Sequence, residues 1–380
     1  MRFSPAFFAA TVVLPVFGAP ALVPITKRGG TLKENSYVMH DGVSQQSFFE
    51  ELKQALSHPD SALGYQYSVI NGVSATVAPS DLAHVRNLAG IASIEQDQIF
   101  SIPPIEESQE LSPIGESQPS PSTGDNTPND KAGEGVTIYG LDTGIYIEHE
   151  CFEGRASWGW SAYGIKVDDH GHGTHTAGTA IGKGYGVATK AHMVSVKVMN
   201  AAGTGSTSDI IKGIDYVCNR FAENKKASSI TTMSIGGGAS EPLDSAVENC
   251  IAQGMHFTVA AGNDNRDAKD YSPARAPNAI TVGAVDSKNV KASFSNHGPV
   301  VDIQAPGVDI VSAGHIGSNS SKKASGTSMA TPYVAGILAV ALSNHGQMFP
   351  QELSDQLKGN AQGACTGMPD GTTNLLATRW

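Results

Sequence analysis

Basic residues are in deficit: the chain carries 25 Lys and Arg against 36 Asp and Glu, a formal net charge of −11. Such a balance offers no basic face to nucleic acid or to an anionic membrane. Cysteine is scarce as well. Cys151, Cys218, Cys250 and Cys365 are the only four in 380 residues, and no two have CxxC spacing. That removes the usual zinc pattern, and a chain of this length can bury a core without staples. Long apolar runs are missing beyond the N-terminus. Ala6 to Phe17 is too short to span a bilayer and is interrupted by Pro15. Arg2 precedes it, and Gly18 and Ala19 follow, so residues 1–18 read as a secretory signal cut near Gly18, with a buried N-terminal strand as the alternative. The expectation is a secreted, extracellular protein with no membrane or nucleic-acid partner, and nothing in the sequence calls for more than a monomer. In an exported chain four cysteines permit two disulfides in three connectivities. Asn319-Ser320-Ser321 is an N-glycosylation sequon and suggests an exposed loop.

What is present is glycine, with 42 residues, and a change of pattern along the chain. Residues 36–101 read as a small separate domain. A strand near Ser36 to His40 is followed by a helix with Phe48, Phe49, Leu52 and Leu56 near one face. Two β-rich runs flank Asn71-Gly72, a strong hairpin signal. A second helix begins at Ser80 or Asp81, and a strand starts at Ile91. The order β-α-β-β-α-β is the ferredoxin-like α+β unit. Residues 102–135 are rich in Pro, Ser, Glu and Gly and read as linker. From 136 to 380 strands alternate with helices, which implies an α/β domain with a parallel sheet covered on both faces. Reactive groups in such folds gather at the carboxyl ends of the strands.

Three segments set reactive side chains beside glycines. "YGLDTG" puts Asp142 directly after a strand. "DDHGHGTHTAGT" puts His170, His172 and His175 at a helix entry, and "SGTSMATP" puts Ser328 at another. Taken singly, an Asp after a strand caps or pairs, a His beside glycines is a turn residue, and a Ser at a helix start is a cap. Together they are the parts of an acyl-transfer site. A hydroxyl becomes nucleophilic when an imidazole takes its proton, and a carboxylate orients that imidazole. The helix start beneath Ser328 favours developing negative charge.

These segments resemble the signatures of the subtilisin family, in particular its proteinase K-like secreted branch. "DTGI", "GHGTHTAGT" and "GTSMATPYVAG" occur in the family's order, with "MSIGG" at Met233 to Gly237 and "VAAGN" at Val259 to Asn263. The resemblance implies a subtilisin-like three-layer fold with a parallel central sheet, preceded by an inhibitor-type propeptide over residues 36–101. It implies a serine endopeptidase made as a self-processed zymogen and acting on protein or peptide substrates. By the same resemblance, Asp142 orients the base, His172 is the base and Ser328 the nucleophile. Asn263 and the Ser328 N–H form the oxyanion hole. His175 is structural, His170 lies at the surface, and Ser325, Thr327 and Thr331 shape the loop. Ser234, Ile235 and Gly236 pair with substrate on one side, and Gly203, Thr204 and Gly205 on the other. Ala260, Gly262 and Gly254 line an uncharged pocket, implying an apolar or aromatic preference and broad specificity. A structural Ca²⁺ is implied at Asp302, Pro277 and Ala279, whose oxygens suit that ion.

The chain departs from the pattern in two places. The Trp-Gly-Leu segment expected at the start of the mature enzyme is absent, which leaves the processing site between Ile102 and Glu106. The cysteines do not fall at the family's usual positions. Cys218 and Cys250, late in successive helices, are candidate neighbours, with free buried thiols as the alternative. Two rival readings are an inactive, allergen-like binding protein on the same fold and a serine esterase of another fold. The esterase would want G-x-S-x-G, and Gly326-Thr327-Ser328-Met329-Ala330 lacks the last glycine.

Overall fold

The structure is a computed structural model that describes residues 22–27, 29–41, 45–102, 108–111, 131–224 and 227–380. Residues 1–18, expected to be a signal, and most of the expected linker lie outside the described residues. Its main body is built on a sheet whose centre is parallel throughout. Across the sheet run Ala156–Ser161, His192–Lys197, Thr137–Asp142, Ser229–Met233, His256–Ala260, Ile280–Val285 and Ile303–Pro306, followed by the short Leu375–Leu376 and Gln362–Gly363 at one edge. Strands 229–233, 256–260 and 280–285 are buried at every position. Their near-continuous apolar and β-branched runs reflect cover on both faces. Four of these strands escaped the sequence reading. Ala156–Ser161 mixes Trp with Gly and Ser, Ile303–Pro306 has only four residues, and the final pairs are too short for any periodicity.

Helix Thr327–His345 runs through one layer and is buried from Thr327 to Ser343. A helix apolar on all sides belongs inside a protein, and it packs with helix His172–Ile181 in the larger core. Helices Thr207–Glu223 and Glu241–Ala252 cover the opposite face, with Ile210, Ile214, Val247 and Ile251 in the second core. Cys218 and Cys250, one on each, are joined by a disulfide with Cα atoms 5.6 Å apart. Cys151 and Cys365 are free and buried. No helix among the described residues is long and apolar enough to cross a membrane.

The N-terminal unit has the β-α-β-β-α-β order read from the sequence. Its strands are Thr31–Asp41, Ala62–Tyr67, Gly72–Thr76 and Ile91–Ser101, and its helices Gln45–Ala55 and Pro79–Val85. Phe48, Leu52, Val73 and Val85 form its own core. The last strand runs on past Glu95, pairing with Thr31–Asp41 as far as Ile99, and its end also lies on the larger domain. There it pairs antiparallel with Thr204–Ser206, Phe100 opposite Gly205 and Ser101 opposite Thr204. Inside the linker, Ser108–Leu111 pairs with Ser321–Ala324.

Candidate active site

Asp142 ends the strand Thr137–Asp142. Ser234 follows the neighbouring strand Ser229–Met233, whose Met233 lies opposite Leu141, so Ser234 stands level with Asp142, about 4.8 Å away across the sheet. Asn263 follows the next strand, His256–Ala260. The carboxyl edge of three adjacent parallel strands thus collects these groups, as open α/β sheets do.

His172 begins helix His172–Ile181. Its Nδ1 lies 2.7 Å from Asp142 Oδ1. The same oxygen accepts the Thr143 N–H at 2.7 Å, and Oδ2 accepts the Thr176 hydroxyl at 3.2 Å. A carboxylate on Nδ1 leaves Nε2 as the working nitrogen, and His172 Nε2 is buried with no hydrogen-bond partner among the described residues. The helix entry is held by Asp168, a buried residue that sequence reasoning passed over. It accepts the Thr143 hydroxyl at 2.8 Å, His170 N–H at 3.2 Å and Gly171 N–H at 2.8 Å on one oxygen. The other takes the N–H and hydroxyl of Thr174 at 2.9 and 2.6 Å. Asp168 therefore caps the helix and ties it to the loop that carries Asp142. An acidic residue four places before the histidine was the available signal.

Ser328 sits in the first turn of helix Thr327–His345. Pro332 lies in the same helix and has no N–H, so it cannot bond the Ser328 carbonyl four residues back. That carbonyl accepts the Ser234 hydroxyl instead, at 2.8 Å, while Ser328 Oγ donates to Ser234 O at 3.2 Å. The pair fixes Ser328 at the strand end beside Asp142. Asn263 Oδ1 accepts both the N–H and the hydroxyl of Thr327, each at 2.9 Å, which turns its Nδ2 the other way. Asn263 Nδ2 and Ser328 N converge: a Cβ on Gly326 would stand 3.4 Å from the first and 3.6 Å from the second. Glycine keeps that notch open. Gly262, at φ +105°, could carry no side chain, since a Cβ would meet Asn296 at 2.3 Å.

A scan of family models matches the "Subtilase family" over residues 133–376. The chain belongs to the subtilase family. It is 49% identical over 248 residues to Subtilisin-like protease 2 of Pseudogymnoascus destructans, covering 64% of this chain and 61% of that protein. It is 41% identical over 313 residues to Alkaline serine protease ver112 of Corniculantispora psalliotae, covering 82% and 81%. The first relatives are thus matched over about three fifths of their length. Among solved structures, a cold adapted subtilisin-like serine proteinase superposes with a TM-score of 0.62 at 42% identity, over 67% of this chain and 93% of that one.

Other expected residues of this subtilase are placed as follows. Gly203, Thr204 and Gly205 form an edge occupied by the chain's own strand, with Ile102 N–H donating to Gly203 O at 2.8 Å. On the far side the Phe100 ring rests on Gly237, where a Cβ would meet it at 2.7 Å, and Gln98 donates to Ala239 O at 3.1 Å. Ile235 is buried with Phe100 and Ile102. Gly236 adjoins this side, and Ser234 is engaged with Ser328. Ala260 and Gly262 stand at the carboxyl edge. Gly254 does not join them: it precedes strand His256–Ala260 and packs near Phe221, so about 16 Å of strand separates it from Gly262. His170 is half-buried rather than superficial, its ring 6.3 Å from that of His172. Its pKa is lowered by burial and then by the neighbouring His172. His175 Nε2 lies 3.0 Å from the carbonyls of Ile310 and Lys322, and burial pushes its pKa down to about 3. Asn319 is exposed, on the loop between strands Ile310–Ala313 and Ser321–Ala324.

The residues proposed for calcium do not fit the ion as they stand. Asp302 Oδ2 accepts the Thr281 N–H at 2.8 Å, and Oδ1 holds the Lys358 ammonium at 2.7 Å. Pro277 and Ala279 then offer carbonyls alone. Among the described residues no group of three or more His, Cys, Asp or Glu side chains gathers to hold a metal.

Proposed function

We propose that this subtilase is a serine endopeptidase, exported and made as a precursor, with Ser328 as nucleophile, His172 as base and Asp142 as its orienting acid. The observation that carries the reading is the Asp142–His172 contact at 2.7 Å, with His172 Nε2 unpartnered and Ser328 held at the adjoining strand end. Rotation of the Ser328 side chain off Ser234 O brings Oγ to His172. Oγ attacks the substrate carbonyl as His172 Nε2 takes its proton. The oxyanion that forms lies against Asn263 Nδ2 and Ser328 N–H. His172 returns the proton to the leaving amine, and water releases the acyl group from Ser328 by the reverse sequence.

Substrate runs extended along Gly203 to Gly205 and against Ile235 to Gly237, recognised through its backbone. Ala260 and Gly262 form an uncharged wall for the residue before the scissile bond, which supports apolar or aromatic preference. In the precursor the N-terminal unit holds that path, with residues 99–102 lying in it as a substrate would. Export rests on the sequence of residues 1–18 and the exposed sequon at Asn319. The test is active-site labelling with a fluorophosphonate together with casein digestion. Labelling of Ser328 and hydrolysis, both lost in Ser328→Ala, is the expected outcome; casein digestion retained in Ser328→Ala refutes the reading.

A further inference from the structure

Asp302 joins two strands of the main sheet. Its N–H donates to Thr281 O at 2.9 Å, and its Oδ2 accepts the Thr281 N–H at 2.8 Å. Its other oxygen reaches across to helix Pro350–Asn360, where Lys358 Nζ stands 2.7 Å away. That helix is anchored in the core by Leu353 and Leu357, and Lys358 lies in its last turn, where a cation also complements the helix dipole. The ammonium therefore takes the Asp302 oxygen that does not bond Thr281. A calcium ion takes six to eight oxygen ligands at about 2.3–2.6 Å, a distance from Oδ1 close to that of Nζ. One carboxylate charge is matched by one lysine, so adding a divalent ion beside that lysine would bring two cations together on a single carboxylate.

We propose that Lys358 is the resident cation of the Asp302 site, standing in for calcium, so that this part of the fold holds without metal. Its partners differ from a metal's in one respect. An ion bound by Asp302 and the 277–279 carbonyls would fasten a loop, whereas the lysine fastens helix Pro350–Asn360 to the sheet.

The experiment is scanning calorimetry of the full-length Ser328→Ala chain, which cannot digest itself, in EDTA and in excess calcium chloride. The parent is expected to melt at the same temperature in both, after subtracting any calcium shift that Asp302→Asn shares. Lys358→Met is expected to melt about 2–4 °C lower in EDTA, to recover in calcium, and to lose that recovery when Asp302→Asn is added. Three results overturn the proposal: a calcium shift of the parent that Asp302→Asn removes, an unchanged melting temperature for Lys358→Met in EDTA, or no recovery of that variant in calcium.

Discussion

At the scale of single residues, the hydroxyls of "SGTSMATP" divide their work. Ser325 Oγ accepts the Asp309 N–H at 2.9 Å and closes the loop. Thr327 orients the Asn263 amide, and Thr331 donates back to Thr327 O at 2.8 Å. Ser328 alone donates to Ser234 O, at the strand end level with Asp142. Asn263→Ala is expected to lower kcat by about 10²–10³-fold with little change in KM, the loss typical of one oxyanion donor. Thr327→Val, which keeps the backbone donor and loses the hydroxyl, should cost about tenfold. Steady-state kinetics on a peptide anilide separates the two, and a pure KM effect for Asn263→Ala would remove it from the site. The identities of these residues were legible because Gly, Ser and Asn cluster there in a recognisable order. The supporting roles of Asp168 and Pro332 were not, since Asp168 works by tying in Thr143, 25 residues away, and Pro332 by leaving the Ser328 carbonyl to Ser234, 94 residues away.

At the scale of elements, the strand Ile91–Ser101 binds through helix ends. Glu95 accepts the Ser240 hydroxyl and the Glu241 N–H at the start of helix Glu241–Ala252. Asp97 takes the Ser208 N–H at 3.0 Å and its hydroxyl at 2.6 Å at the start of helix Thr207–Glu223. Two carboxylates on one face of a strand, alternate residues apart, satisfy two sets of orphan N–H groups. Glu95→Ala and Asp97→Ala should each destabilise the Ser328→Ala precursor by about 0.5–2 kcal/mol, read as a lower melting temperature. Processing follows from the same strand. The peptide nitrogens after Ile102 and Pro103 both belong to prolines, and a ring-substituted nitrogen is a crowded leaving group that also fixes its own φ. Cleavage is expected at Pro104–Ile105 or later, and N-terminal sequencing of mature protein beginning at Pro103 or Pro104 would contradict it.

At the scale of the whole molecule, the fold buries imidazoles in neutral form. His175 is held at about 3 by burial first and by His172 next, and His256 at about 4 by burial. Both folded values lie below the unfolded value of about 6.5. Each His therefore binds its proton only in the unfolded chain between the two values, so stability is whole above about pH 6.5 and falls on acidification. The slope is about 1.4 kcal/mol per pH unit for each imidazole. Urea unfolding of the Ser328→Ala chain should show a loss of about 4 kcal/mol between pH 7 and pH 5, roughly halved in His256→Gln. A stability unchanged over that interval would mean these rings are not buried neutral.

By itself the sequence determined the alternation of strands and helices, the compact α+β unit ahead of it, and the glycine-flanked segments that carry Asp142, His172 and Ser328. Those are local properties, written in periodicity and turn chemistry within a few residues. Only the tertiary structure decided which groups share an edge. It moved Gly254 to the far end of its strand, laid residues 99–102 along Gly203 to Gly205, and set Lys358 on Asp302. Side chains far apart along the chain meet through strand order and helix docking, and neither is encoded in the spacing of any one segment.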